Sequence, residues 1–296
     1  MNAQTMNLRS HHTQPAPPRE HAALVTLLDD DDPNIFAAVQ KRILSLGPES
    51  CEWLRPHTLS SNPLVRRRTL GLIHHFTRRE TDREFIFFCL THGENLDLET
   101  GALLLARTTF PDLNAGACSA VLDEFAGTLR HRLKPGDSPR EVLARMNQHL
   151  FTELGFCGNE ESYFDPGNSY LNRVLERRTG NPISLCLVYM LVAARLQLPI
   201  TGIGLPGHFV CRHQSNAGSI YIDAFDRGRL LTKTDCVQYL IHSAFGLDDQ
   251  FLAPVPPRRM LIRMCGNLHQ IYLHLEQQDE ATRMQGYIVA LSGQKA

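Results

Sequence analysis

The stretch that most constrains the fold is residues 181–223. An Asn181-Pro182 pair opens the most apolar run of the chain, Ile183 to Ala194, which ends at Arg195. A membrane-spanning helix needs about 20 such residues, so this shorter run predicts a helix buried inside a globular domain. Asn181 is its expected N-cap, with Pro182 at the first helical position. After Leu198-Pro199 the period changes. "ITGIGLPGHFVCRH" (200–213) and "SIYIDAF" (219–225) alternate, carry β-branched and aromatic residues, and are bounded by glycine and polar clusters, which predicts strands. Gln214 to Gly218 is the expected hairpin turn between them. Asp226-Arg227-Gly228 is a second turn, leading into a short strand at "RLLT".

The same stretch holds the chemistry-bearing side chains. His208 follows a Pro-Gly turn where a strand begins, and Asp223 lies fifteen residues on, in the next strand. Antiparallel pairing about the 214–218 turn brings the two side by side. A carboxylate there would fix the imidazole tautomer and stabilise imidazolium. A thiol near the start of the preceding helix, Cys186, would be activated by the imidazole and by the helix dipole. That is the Cys-His-Asp logic of acyl transfer. Cys211, three residues beyond His208, is expected on the opposite face, in the core. Asn172, Arg173 and Arg177 either line a cleft or form a solvated face.

The rest of the chain reads as helical. Residues 1–19 are proline- and histidine-bearing with little apolar content, and are expected to be a disordered tail. "DDPNIFAAVQKRILSL" (31–46) and "SNPLVRRRTLGLIHHF" (61–76) align at an offset of 30 residues, Pro33 on Pro63 and Leu46 on Phe76. An Asp or Asn precedes each Pro, as suits an N-cap, and apolar residues follow at three- and four-residue steps. This pattern resembles HEAT-like repeats over residues 20–95. Arg66, Arg67 and Arg68 either meet an acidic partner or form a solvated face. "LDLETGALLLART" and "AGACSAVLDEFAGTLRHRL" continue the helices. Ser138-Pro139-Arg140-Glu141 forms a capping box opening a helix to about Leu154. Residues 258–276 and 279–292 form a helical hairpin, which resembles a single tetratricopeptide-like unit over 256–296.

"NSYLNRVLERRTGNPIS" and "GLPGHF", followed by "YIDAFDRGRLL", carry a resemblance to the transglutaminase-like core of the bacterial SirB family. The upstream "LDLETGALLLARTTFPDL" and the downstream "RRMLIRMCGNLHQIYL" resemble that family too. The resemblance implies an α+β papain-like core over residues 96–255, with a small antiparallel sheet, flanked by helical segments. It also implies a nucleophilic Cys at the start of the core helix. Counting back from Pro199 by the family's spacing reaches Pro182 instead. Ser184 lies two residues further in. Cys186 lies four further in, on the face of Pro182 but one turn deeper, about 6 Å along the axis. Ser184 and Cys186 point about 200° apart, so both cannot face His208. Two readings stay open for each. Cys186 is a displaced nucleophile or a buried core thiol. Ser184 is a hydroxyl nucleophile or a first-turn residue bonded to backbone. His208 and Asp223 are a catalytic pair or a structural one.

Charge and cysteine usage narrow the function classes. Thirty basic residues against thirty-one acidic ones give a net charge of -1, with no basic field for nucleic acid. Eight cysteines stand at least 25 residues apart, without a Cys-x-x-Cys pair for zinc or redox chemistry. Free thiols, the lack of an apolar leader and the lack of a span predict a cytoplasmic protein. No cofactor is expected. The expected function is a transglutaminase-like, non-catalytic module that binds protein or peptide, with a cysteine acyltransferase or amidohydrolase as the alternative. Oligomeric state stays open.

Overall fold

A computed structural model describes residues 18–215, 218–243 and 249–293. The expected tail up to residue 17 and the centre of the expected 214–218 turn lie outside the described residues. The chain divides into two compact units, ending and beginning at Asp82 and Arg83.

The first unit is helical: α1 (Pro18–Leu27), α2 (Pro33–Leu46), α3 (Ser50–Leu54) and the first part of α4 (Pro63–Thr91). The repeat signal is visible at the helix starts. Asp32 caps α2 by accepting from the Asn34 N–H, and Asn62 accepts from the Leu64 N–H at 2.9 Å ahead of α4. Leu28, Val39, Ile43, Leu54, Leu72 and Phe76 share one core. The two copies differ at their first turn, where Val65 is buried and its counterpart Ile35 is exposed. Of the arginine run, Arg68 turns inward. Its guanidinium donates to the Leu28 carbonyl at 2.9 Å and lies 4.1 Å from the Phe36 ring centre. Arg67 stays exposed. Helix α4 continues past the 61–76 repeat copy, and its second half keeps helix-forming Arg and Glu around the buried Phe85, Phe88 and Cys89.

The second unit is α+β. Its elements are α5 (Leu98–Arg107), α6 (Ala115–Arg132), α7 (Pro139–Asn147), β1 (Cys157–Gly158), α8 (Leu171–Arg177), β2 (Thr179–Gly180), α9 (Pro182–Arg195), β3 (Ile200–Ile203), β4 (Val210–Ser215), β5 (Gly218–Asp223), β6 (Arg229–Leu231), α10 (Lys233–His242), α11 (Pro257–His274) and α12 (Gln278–Ser292). The Ser138 capping box opens α7, and the helix continues to Glu153 as a π turn. Helix α9 is apolar on every face and packs against α6, α8, α11 and the sheet.

Strands β3 to β6 form one antiparallel sheet in chain order. Residues 200–213 are not one strand. Pro206-Gly207 splits them into the β3–β4 hairpin, pairing Ile203 with Val210, because Gly207 takes a left-handed φ of 69°. The two-residue parallel pair β1–β2 carries no periodic signal in sequence. Helices α11 and α12 form the expected hairpin, and both contribute to the unit's core through Leu261, Met264, Leu268 and Met284. No helix among the described residues is long and apolar enough to cross a membrane.

His213 on β4 predicts an acid-side weakness. Its side chain is buried, its Nδ1 has no hydrogen-bond partner among the described residues, and burial lowers its pKa below the ordinary 6.5. The unfolded chain therefore takes up a proton that the folded chain resists. Stability from this group is complete above about pH 6.5 and declines as pH falls below it, by at most about 1.4 kcal/mol per pH unit. Urea unfolding at neutral and mildly acidic pH is expected to show this decline, and a smaller one in His213→Leu.

Candidate functional site

The sheet register places the site. Cys211 pairs with Ile222, so Asp223 at the end of β5 stands beside the Leu205–His208 turn that precedes β4. His208 Nε2 donates to Asp223 Oδ2 at 2.8 Å, which brings together the two residues expected to pair. The other carboxylate oxygen accepts the N–H groups of Phe225 (3.1 Å) and Asp226 (3.2 Å). A carboxylate accepts only, so this pairing puts the imidazole proton on Nε2 and leaves Nδ1 as the basic nitrogen. Both side chains keep some exposure, 17% for His208 and 15% for Asp223.

The turn is held from behind by Arg263 on α11. Its guanidinium donates to the carbonyls of Leu205 (2.7 Å) and His208 (2.6 Å) and lies 5.2 Å from the Phe209 ring centre. Arg263 was not singled out by the sequence. Nothing in its helical neighbours Arg259, Asn267 and Gln270 marks it out from a solvated face. A groove of about 360 Å³ opens at the pair, floored by Leu205, Leu231 and Cys236 and edged by Tyr239 and Asp235. Two hydrogen bonds from Thr232 hold the Asp235 carboxyl below its ordinary pKa, so it stays ionised. Cys236 brings a thiol to the lining of this groove. Its burial pushes its pKa up to about 11, so it is a protonated lining residue at neutral pH.

Cys186 lies deep in α9, with no exposed surface. Its thiol donates to the Phe209 carbonyl at 3.4 Å, and the Cys211 thiol donates to the Cys186 carbonyl at 3.6 Å. Burial, and secondarily the neighbouring Cys211, pushes the Cys186 pKa well above the ordinary thiol value. Desolvation therefore outweighs whatever the helix dipole gives at this depth. Cys211 is fully buried in the core.

Ser184 is also fully buried. Its hydroxyl donates to the Asn168 carbonyl at 2.6 Å and accepts the Asn181 N–H at 3.1 Å, while its own N–H donates to Asn181 Oδ1. Asn181 and Ser184 thus form a capping box. Asn181 Nδ2 also donates to Ser169 Oγ at 2.8 Å, so "NS" and "GNPIS" are two halves of one buried polar knot. Replacing Asn181 by alanine is expected to cost about 1–2 kcal/mol in a urea titration, since it removes the cap and leaves Ser169 and the Ser184 N–H unpaired. The basic residues of α8 are engaged away from the pair: Arg177 binds Asp165 at 2.6 Å and Arg173 binds Glu176. Asn172 Oδ1 is buried without a partner among the described residues.

The comparisons with known proteins agree with this architecture. The model of the transglutaminase-like superfamily matches residues 116–266. A UPF0162 protein of Xylella fastidiosa is 37% identical over 204 residues, which cover 67% of this chain and 73% of that protein. A UPF0162 protein of Pseudomonas aeruginosa is 30% identical over 178 residues, 58% of this chain and 63% of that one. Human F-box only protein 21 is 38% identical over 138 residues, 43% of this chain and 21% of that much longer protein. No solved structure matches. The chain belongs to the UPF0162 family, and its second unit carries a domain of the transglutaminase-like superfamily.

Proposed function

We propose that the transglutaminase-like core is a non-catalytic module that binds protein or peptide, with the helices before and after it as HEAT-like and tetratricopeptide-like flanks of SirB type. One observation carries this reading. The thiol on the core helix is fully buried, bonded to a backbone carbonyl and held protonated, while the His208–Asp223 pair faces an open groove. Thiol acyl transfer needs a populated thiolate within reach of its base and of the substrate. A protonated thiol sealed in apolar packing has neither. Ser184 is equally committed, because its hydroxyl proton is donated to the backbone at a helix start.

The second reading, a cysteine acyltransferase, draws on the orientation of the pair. Asp223 fixes the tautomer that leaves Nδ1 basic, which is the state a general base requires. A glutamine-donor peptide and a fluorescent primary amine separate the two readings. The full chain is expected to incorporate no more amine and release no more ammonia than its Cys186→Ala and His208→Ala variants. Turnover that either substitution abolishes would overturn the binding-module reading.

A further inference from the structure

Around the His208–Asp223 pair runs a ribbon of aromatic rings. Tyr239 lies 6.0 Å from the imidazole centre, and Phe225 meets the imidazole edge-on at 6.2 Å. Phe225 meets Tyr163 at 6.4 Å, and Tyr163 meets Phe164 at 5.6 Å. Three of these rings reach solvent: Tyr163 is 43% exposed, Tyr239 41% and Phe164 45%, the last with one face stacked on His274 at 4.0 Å. Exposed rings gathered on one face mark interaction surfaces more often than scattered ones do.

The ribbon is held in place. Asn168, almost fully buried, donates to the carbonyls of Ser162 (2.8 Å) and Tyr163 (3.2 Å). Asn159 donates to Asn168 Oδ1 at 2.9 Å and accepts the Ser162 N–H at 3.1 Å. The Asn168 carbonyl is in turn held by Ser184 and Asn181, so the polar knot at the start of α9 anchors the loop that displays Tyr163 and Phe164. On the other side, the Tyr239 hydroxyl donates to the Pro206 carbonyl at 2.9 Å. Ordering these rings in advance lowers the entropy cost of binding.

Charge selects the partner. The turn from Asp223 to Arg229 separates two depressions, the groove of about 360 Å³ and one of about 390 Å³ beside Phe225. Glu160, Glu161 and Asp226 line the second, and Asp223 and Asp235 the first. Arg227 and Arg229 are the opposing cations, and Arg229 is 3.5 Å from Asp226. With Asp223 committed to His208, the excess of carboxylates lies on the Glu160–Glu161 side of the ribbon. Aromatic faces rimmed by carboxylates favour a planar, weakly hydrated cation that stacks and forks hydrogen bonds, which is guanidinium rather than ammonium.

We propose that this face docks an extended peptide segment bearing arginine, whose guanidinium stacks on the exposed rings while the flanking carboxylates neutralise it. The proposal rests on the binding-module reading and names its partner chemistry. It is tested with the full chain and a short fluorescein-labelled Gly-Ser peptide carrying paired arginines, followed by anisotropy, with peptide mass checked afterwards. Saturable binding is expected. It should weaken about tenfold when citrulline replaces arginine, and by a similar factor in Tyr163→Ala or in the double variant Glu160→Gln, Glu161→Gln. Tyr163→Phe is expected to keep binding, and added salt to weaken it. Far-UV circular dichroism shows that each variant is folded. No saturable binding, equal binding of the citrulline or a glutamate peptide, or an unaffected Tyr163→Ala variant overturns the proposal. An unchanged peptide mass with no binding sinks this inference alone. A covalently altered peptide overturns the binding-module reading beneath it.

Discussion

Arg258→Ala is expected to lower the stability of the second unit by about 3–5 kcal/mol, whereas Arg259→Ala, at an exposed neighbouring position, changes it by less than about 0.5 kcal/mol. Arg258 has only 1% of its surface exposed. Its guanidinium ties together two helix ends. It donates to Cys89 (2.8 Å) and His92 (2.6 Å) at the end of α4, and to Ala290 (3.3 Å) and Leu291 (2.7 Å) at the end of α12. These carbonyls belong to the last turns, where helices leave acceptors unpaired and where the macrodipole is negative. One cation thus meets four acceptors and two negative poles. Truncation strands those acceptors in a buried place, and each charge-assisted bond contributes about 1.5–3 kcal/mol. Urea unfolding followed by far-UV circular dichroism checks the difference between the two variants.

Gly228→Ala carries the second large effect, about 2–4 kcal/mol. Gly228 has φ 77°, a left-handed backbone that side chains disfavour. A Cβ there would come within 2.5 Å of the Phe151 ring and 2.7 Å of the Asn147 side chain. The backbone at this position is fixed as well. The Gly228 N–H donates to the Asp223 carbonyl at 2.8 Å, and its own carbonyl accepts from Asn147 Nδ2. Relief of the clash must move the turn that also orients the Asp223 carboxylate. The variant is therefore expected to lose stability and arginine-peptide binding together. A loss of stability with unchanged binding would show that the turn is not what positions the site.

Local chemistry made part of this legible in sequence. Asn181-Pro182, the Ser138 box and the Asp/Asn-Pro pairs each mark a helix start through bonds within a few residues, and period alone separates α9 from the strands after it. The approach of His208 to Asp223 follows from antiparallel register about one turn. Longer-range features were not legible. Arg258 reaches carbonyls as far as 169 residues away, and Arg263 reaches His208 across 55. The aromatic ribbon joins Tyr163, Phe225 and Tyr239 from three separate loops and helices, and no period links them. Cys236 reached the groove because α10 folds back against β5 and β6, a packing that its own sequence does not encode. Depth in α9 was legible as a spacing, one turn past Pro182. The burial that decides the chemistry of Cys186 comes from the surrounding helices and sheet.

The most direct measurement is the alkylation rate of Cys186 in the folded full chain between about pH 6 and 9, resolved by peptide mass mapping from the half-buried Cys51, Cys118 and Cys157. A sealed, protonated thiol is expected to react no faster than the chain unfolds, and in His208→Ala no faster than that variant's own unfolding. Rapid alkylation with a midpoint below neutral pH, lost in His208→Ala, would contradict the claim and make Cys186 a nucleophile served by the His208–Asp223 pair.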